Sequence, residues 1–90
     1  MFRVLVVDDE PRQRRILSNV IREFREEYEV LEAKNGEEAL TLSMNRNIDI
    51  VFSDIRMPKM DGLSMIERIS EHNPFVKIVI VSGYSDFSYA

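Results

Sequence analysis

Three apolar runs in this chain each end in an acidic or hydroxyl residue, and that pattern constrains the fold more than any other feature. Val4-Leu5-Val6-Val7 leads into Asp8-Asp9, Ile48-Asp49-Ile50-Val51-Phe52-Ser53 into Asp54, and Ile78-Val79-Ile80-Val81 into Ser82. Short runs rich in β-branched residues read as strands buried on both faces, the signature of a parallel sheet. In open parallel sheets the ligand crevice lies outside the carboxyl ends of the strands. The runs therefore predict three strands that deliver their polar residues to one crevice. Charges at such ends cost desolvation unless something there uses them.

Between the runs the spacing changes from strand to helix. Pro11 suits the first turn of a helix, and Ile16, Leu17, Val20, Ile21 and Phe24 recur on one face, predicting a helix that covers the sheet. Tyr28 to Ala33 reads as a shorter, more polar strand at an edge. Asn35 followed by Glu38 gives an N-cap with a capping-box partner and opens a second helix through Ala39, Leu40 and Met44. After Asp54 the segment Met57 to Gly62 is turn-rich, and a third helix carries Leu63, Ile66 and Ile69 until Pro74 ends it. A fourth strand spans about Val76 to Val81, and Gly83 then turns the chain toward a further helix cut off at Ala90. Alternating strands and helices with short connections predict an α/β, doubly wound parallel sheet with helices on both faces. Periodicity alone does not fix the strand order.

At 90 residues the chain has room for one small domain. With 12 basic and 16 acidic residues, its net charge of -4 argues against nucleic-acid binding by this segment, which calls for a basic face. Absence of cysteine excludes disulfides and thiol catalysis. No apolar stretch approaches a bilayer span, and the N-terminus starts with a strand pattern in place of a signal peptide. A soluble cytoplasmic module without membrane contact is the expectation.

Asp8, Asp9 and Asp54 would bring three carboxylates together, and like charges that close either raise a pKa or recruit a cation. Mg2+ is the cation such a site suits, since it takes carboxylate and carbonyl oxygens and keeps waters that a phosphate can replace. A carboxylate can also act as nucleophile in phosphoryl transfer and form an acyl phosphate.

Val6-Val7-Asp8-Asp9-Glu10-Pro11, Asp54-Ile55-Arg56-Met57-Pro58-Lys59-Met60-Asp61-Gly62 and Val81-Ser82-Gly83-Tyr84 together resemble the receiver domain of bacterial two-component response regulators. The three strings occur in the family's order, and the resemblance covers all 90 residues, read as one partial receiver domain, 1–90. It implies a flavodoxin-like sheet of order 2-1-3-4-5, here truncated to about four strands of order 2-1-3-4. By the same resemblance Asp54 is the phosphoacceptor. Asp9 and the main-chain carbonyl of Arg56 are direct Mg2+ ligands beside Asp54, and Asp8 acts through water. Ser82 is the switch hydroxyl. The implied phosphodonor is a phosphohistidine on a sensor histidine kinase. The chain would take part in its own phosphorylation and dephosphorylation without being a free-standing enzyme.

Family receivers continue through the rest of the fourth helix, a fifth strand ending in a lysine and a fifth helix, and none of these precedes the end of the sequence at Ala90. That departure predicts slower phosphoryl chemistry, an exposed edge on the fourth strand and a homodimer or strand-exchanged oligomer. The tail Ser82 to Ala90 is similar to receivers joined to an AraC-type helix-turn-helix, so DNA contact is expected only through an output domain absent from this segment.

Taken singly, each signal has a plainer reading. Asp8-Asp9 suits a helix N-terminus, Asp54 a turn, and Ser82-Gly83 a strand-to-loop turn. Arg12, Arg14 and Arg15 read as a solvated helix surface in preference to a kinase-docking face, and His72 as a surface residue at a helix end. Met57, Met60 and Met65 read as packing and loop residues, and Phe2 and Phe75 as packing near strand starts. Two other function classes compete with the phosphoacceptor. An aspartate-nucleophile phosphohydrolase would carry a second acid two residues after the nucleophile, where this chain has Arg56. A receiver-like interaction module would act by contact and never hold phosphate.

Overall fold

Strand and helix alternate through the chain: β1 (Arg3–Val7), α1 (Pro11–Phe24), β2 (Glu29–Ala33), α2 (Gly36–Asn45), β3 (Ile50–Ser53), α3 (Gly62–His72) and β4 (Lys77–Ile80). This computed structural model describes residues 2–54 and 62–81. The Arg56 carbonyl, the loop over 57–61, Ser82 and the tail 83–90 lie outside the described residues. Every strand pair is parallel, and the sheet order is β2-β1-β3-β4, the flavodoxin-like order. β2 stands at one edge, in keeping with its more polar sequence.

Local chemistry sets the helix starts. Pro11 occupies the first turn of α1, where its missing N–H costs nothing, and the Glu10 side chain caps the helix by accepting from the Arg12 N–H. Asn35 Oδ1 accepts from the Glu38 N–H at 2.8 Å, as the capping pattern predicts. The return bond differs, because Glu38 Oε1 accepts from the Lys34 N–H in place of that of Asn35. Asn73 follows α3 and ties it to the sheet, its Nδ2 donating to the Ile48 carbonyl at 2.9 Å.

Side chains alternate across the sheet and make two cores. Leu5, Val7, Ala33 and Val51 pack against Ala39 and Leu40 of α2 and Met65 and Ile69 of α3. On the opposite face Val4 and Val6 pack with Ile21, flanked by Leu17, Tyr28, Val30, Ile50 and Phe52. β1 is therefore buried on both faces, as its unbroken apolar run predicts.

Elsewhere the structure departs from the pattern. The sheet-facing side of α1 is Leu17, Ser18 and Ile21, with Arg14 partly buried beside them, while Ile16, Val20 and Phe24 are 57%, 56% and 73% exposed. Among the described residues α1 alone lies over the β2–β1 half of this face, and its apolar stripe is wider than the surface it meets there. An apolar groove of about 410 Å³ opens there, lined by Leu17, Val20, Phe24, Ile50 and Phe52 among others. Val79 and Ile80 of β4 and the following Val81 are exposed, in line with the exposed edge expected of the fourth strand, and β4 is the sheet's edge among the described residues. Met44 and Leu63 also face outward. Phe2 packs against the Tyr28 ring with centroids 4.8 Å apart, whereas Phe75 is 90% exposed and packs no strand start.

Candidate functional site

The carboxyl ends of β1 and β3 lie side by side. Val7 is in register with Ser53, so Asp8 and Asp54 are the next residues along neighbouring parallel strands. The Asp54 N–H donates to the Val7 carbonyl at 3.1 Å and the Asp8 N–H to the Ala33 carbonyl at 3.1 Å, which carries the ladder to the end of the sheet. Both acids are thus fixed at their main chain by the sheet itself. The buried Ser53 hydroxyl adds a bond of 2.9 Å to the Asp54 carbonyl.

From Asp8 the chain turns into α1. Asp8 Oδ1 accepts from the Glu10 N–H at 2.9 Å, a local turn that short acidic side chains favour. Asp9 is left exposed at the tip, Asp8 and Asp54 partly buried behind it. One carboxylate oxygen from each of Asp8, Asp9 and Asp54 lies within 4.8 Å of the others. Burial pushes the Asp8 carboxyl up from its ordinary value; the Glu10 N–H opposes this, and the charges of Asp54, Asp9 and Glu10 add to it.

This donor set fits a small hard cation. Magnesium binds oxygen at about 2.0–2.1 Å, so ligands on opposite sides of it stand about 4.2 Å apart. One oxygen from each of the three carboxylates lies within 4.8 Å of the others, a separation one such ion could draw together. Three of the expected site residues are therefore brought together, and Arg56 and Ser82 lie outside the described residues.

Arg14 joins this framework although its sequence context suggested a solvated surface. Its Nη1 donates to the Asp8 carbonyl at 2.9 Å and its Nε to Glu32 Oε1 at 3.1 Å. The available signal was its position: Arg14, Leu17, Ser18 and Ile21 share one helical face, the one turned to the sheet.

Residues 4–90 match the family described as the response regulator receiver domain. The chain is 41% identical over 87 residues to the positive alginate biosynthesis regulatory protein of Pseudomonas aeruginosa, covering 94% of this chain and 35% of that one. Among solved structures it is similar to the response regulator protein TrrA of Thermotoga maritima in complex with Mg2+-BeF. That match has 40% identity and a TM-score of 0.85, and covers 99% of this chain and 76% of TrrA. TrrA has also been solved in complex with the histidine kinase ThkA, and there matches with 42% identity and a TM-score of 0.82, covering 93% of this chain and 71% of that one. A two component transcriptional regulator AraC from Clostridium phytofermentans matches with 30% identity and a TM-score of 0.85, covering all of this chain and 73% of that one. The chain spans about a quarter to a third of the length of the curated relatives it matches.

Proposed function

Because this chain belongs to the response regulator receiver domain family, we propose that Asp54 accepts a phosphoryl group from a sensor histidine kinase, beside a Mg2+ ion held by Asp8, Asp9 and Asp54. The observation that carries this reading is the convergence of the three carboxylates within 4.8 Å at the ends of β1 and β3. TrrA, solved both with Mg2+-BeF and with a histidine kinase, supports the metal and the partner. The Arg56 carbonyl completes the proposed ligand set, and Ser82 is the proposed switch hydroxyl.

An Asp54 carboxylate oxygen attacks the phosphorus of a phosphohistidine. The P–N bond breaks as the new P–O bond forms, and the departing imidazole keeps the electron pair. When bound, Mg2+ neutralises charge between the carboxylates and the incoming phosphoryl oxygens. Asp8 and Asp9 supply the oxygens that keep it there, and the sheet holds Asp54 without reorganisation, so positioning and charge neutralisation carry the reaction.

On this reading residues 1–90 act as one receiver unit, a cytoplasmic phosphoacceptor and not a free-standing enzyme. No helix among the described residues is long and apolar enough to cross a membrane. The regulatory relatives support an output domain that controls transcription and makes any DNA contact, of AraC type by the Clostridium neighbour. A homodimer joined along β4 is proposed from its exposed Val79 and Ile80 and the exposed Val81 that follows it.

Incubation with Mg2+ and a small acyl-phosphate donor, read by intact mass, tests the reading. A stable gain of one phosphoryl group supports it. Donor turnover without an adduct would point to a phosphohydrolase, and no reaction to an interaction module.

A further inference from the structure

Arg14 connects three parts of the molecule that the sequence keeps apart. It lies in the second turn of α1, and its side chain is 15% exposed. One arm of its guanidinium donates to the Asp8 carbonyl at 2.9 Å, and Nε donates to Glu32 on the edge strand β2 at 3.1 Å. Glu32 is itself held from its other oxygen by Arg22 at 3.6 Å and Arg15 at 3.9 Å. The anchor is therefore shared among three cations, while the contact to Asp8 is made by Arg14.

The carbonyl that Arg14 holds belongs to the peptide joining Asp8 to Asp9. A peptide unit is planar, so a bond to its oxygen restrains the plane and the Asp9 N and Cα that lie in it, leaving the Asp9 φ as the main-chain rotation that aims its side chain. Asp9 is the exposed acid of the trio, and among the described residues no backbone ladder bond holds it as the sheet holds Asp8 and Asp54. We propose that Arg14, braced by Glu32, is a positioning residue that turns the Asp9 carboxylate toward Asp8 and Asp54 and thereby sets the affinity of the site for a divalent cation. A guanidinium suits this task because its rigid fork serves two acceptors at once, which a lysine ammonium on a flexible stem does less well. The proposal rests on the magnesium reading of the three carboxylates.

The test is titration of this chain with Mg2+ alone, followed by NMR at the Asp9 and Asp54 amides, with thermal unfolding measured on the same samples. Arg14→Gln should weaken Mg2+ on the order of tenfold, the usual loss when a group that orients a metal ligand is removed. It should also shift the Asp9 amide before any metal is added. Arg14→Lys should recover part of the affinity. Glu32→Gln should weaken Mg2+ in the wild-type background and have no further effect beside Arg14→Gln, since it acts through Arg14. If Arg14→Gln does not fold, Glu32→Gln and Arg14→Lys carry the test, and unchanged affinity in both overturns it. Unchanged affinity in a folded Arg14→Gln also overturns it, as does an equal loss in an Ile69→Val core variant of matched stability. Asp9→Asn separates the two readings. If it binds Mg2+ as tightly as wild type, the metal reading fails and the proposal with it. If it loses Mg2+ while Arg14→Gln keeps it, only the role of Arg14 is wrong.

Discussion

Replacing Asp8 by Asn should stabilise the metal-free protein near neutral pH, although it removes a proposed ligand. One carboxylate oxygen from each of Asp8, Asp9 and Asp54 lies within 4.8 Å of the others. Two unit charges at that distance repel by about 3.5 kcal/mol at an effective dielectric of about 20, and by about 0.9 kcal/mol in bulk water. Asp9 is exposed and contributes near the lower limit, whereas Asp54 is partly buried and contributes more. Asparagine keeps an Oδ1 for the Glu10 N–H, so the turn into α1 survives. The expected net gain is about 1–2 kcal/mol at low salt, and each kcal/mol raises the unfolding temperature of a domain this size by about 4–8 °C. The sign of the pH dependence follows from the raised Asp8 pKa. A carboxyl that holds its proton more tightly when folded favours the native state at low pH, and that contribution is lost as pH rises from the ordinary value of 3.8 through the folded pKa. The advantage of Asp8→Asn should therefore open across that window, close below it, and shrink with added salt. Thermal unfolding by circular dichroism in EDTA, across pH and ionic strength, is the assay. A variant less stable than wild type at neutral pH, or a difference indifferent to pH and salt, would refute the electrostatic reasoning.

Truncating Met65 to Ala should cost about 2–5 kcal/mol by denaturant unfolding, because this fully buried side chain fills the core between α3 and the sheet. Asn35→Ala should cost about 1 kcal/mol, seen as a lower urea midpoint with an unchanged slope, since it removes the cap on the Glu38 N–H. Light scattering after size exclusion should find a dimer or larger species whose share grows with concentration, built on the β4 edge. A sharp monomer at all concentrations would remove that edge from the account.

The fold was legible where burial is two-sided. The unbroken run Val4 to Val7 can be satisfied only by a central strand, and β1 is one. At β4 the same run type stands exposed, as the open edge expected of that strand requires, because composition records what a strand is suited to and not which neighbours cover it. In α1 the apolar stripe named the right helix but centred its buried face too far round, on Ile16, Val20 and Phe24. Arg14 was missed for the matching reason. A long cationic side chain reads as solvated by type, and only the three-dimensional proximity of Glu32 and the Asp8 carbonyl turns it inward. The acidic trio was legible because strand ends in a parallel sheet share one rim, so residues far apart in sequence inherit a common address.

The central claim joins a cation site to a phosphoacceptor, and beryllofluoride tests both at once because it mimics a phosphoryl group on a carboxylate. Fluorine NMR of this chain with beryllofluoride should show protein-bound resonances when Mg2+ is present. They should vanish on chelation and be missing in Asp54→Asn. Bound resonances that persist without Mg2+ or in Asp54→Asn, or none in the wild type at saturating Mg2+, would contradict the account.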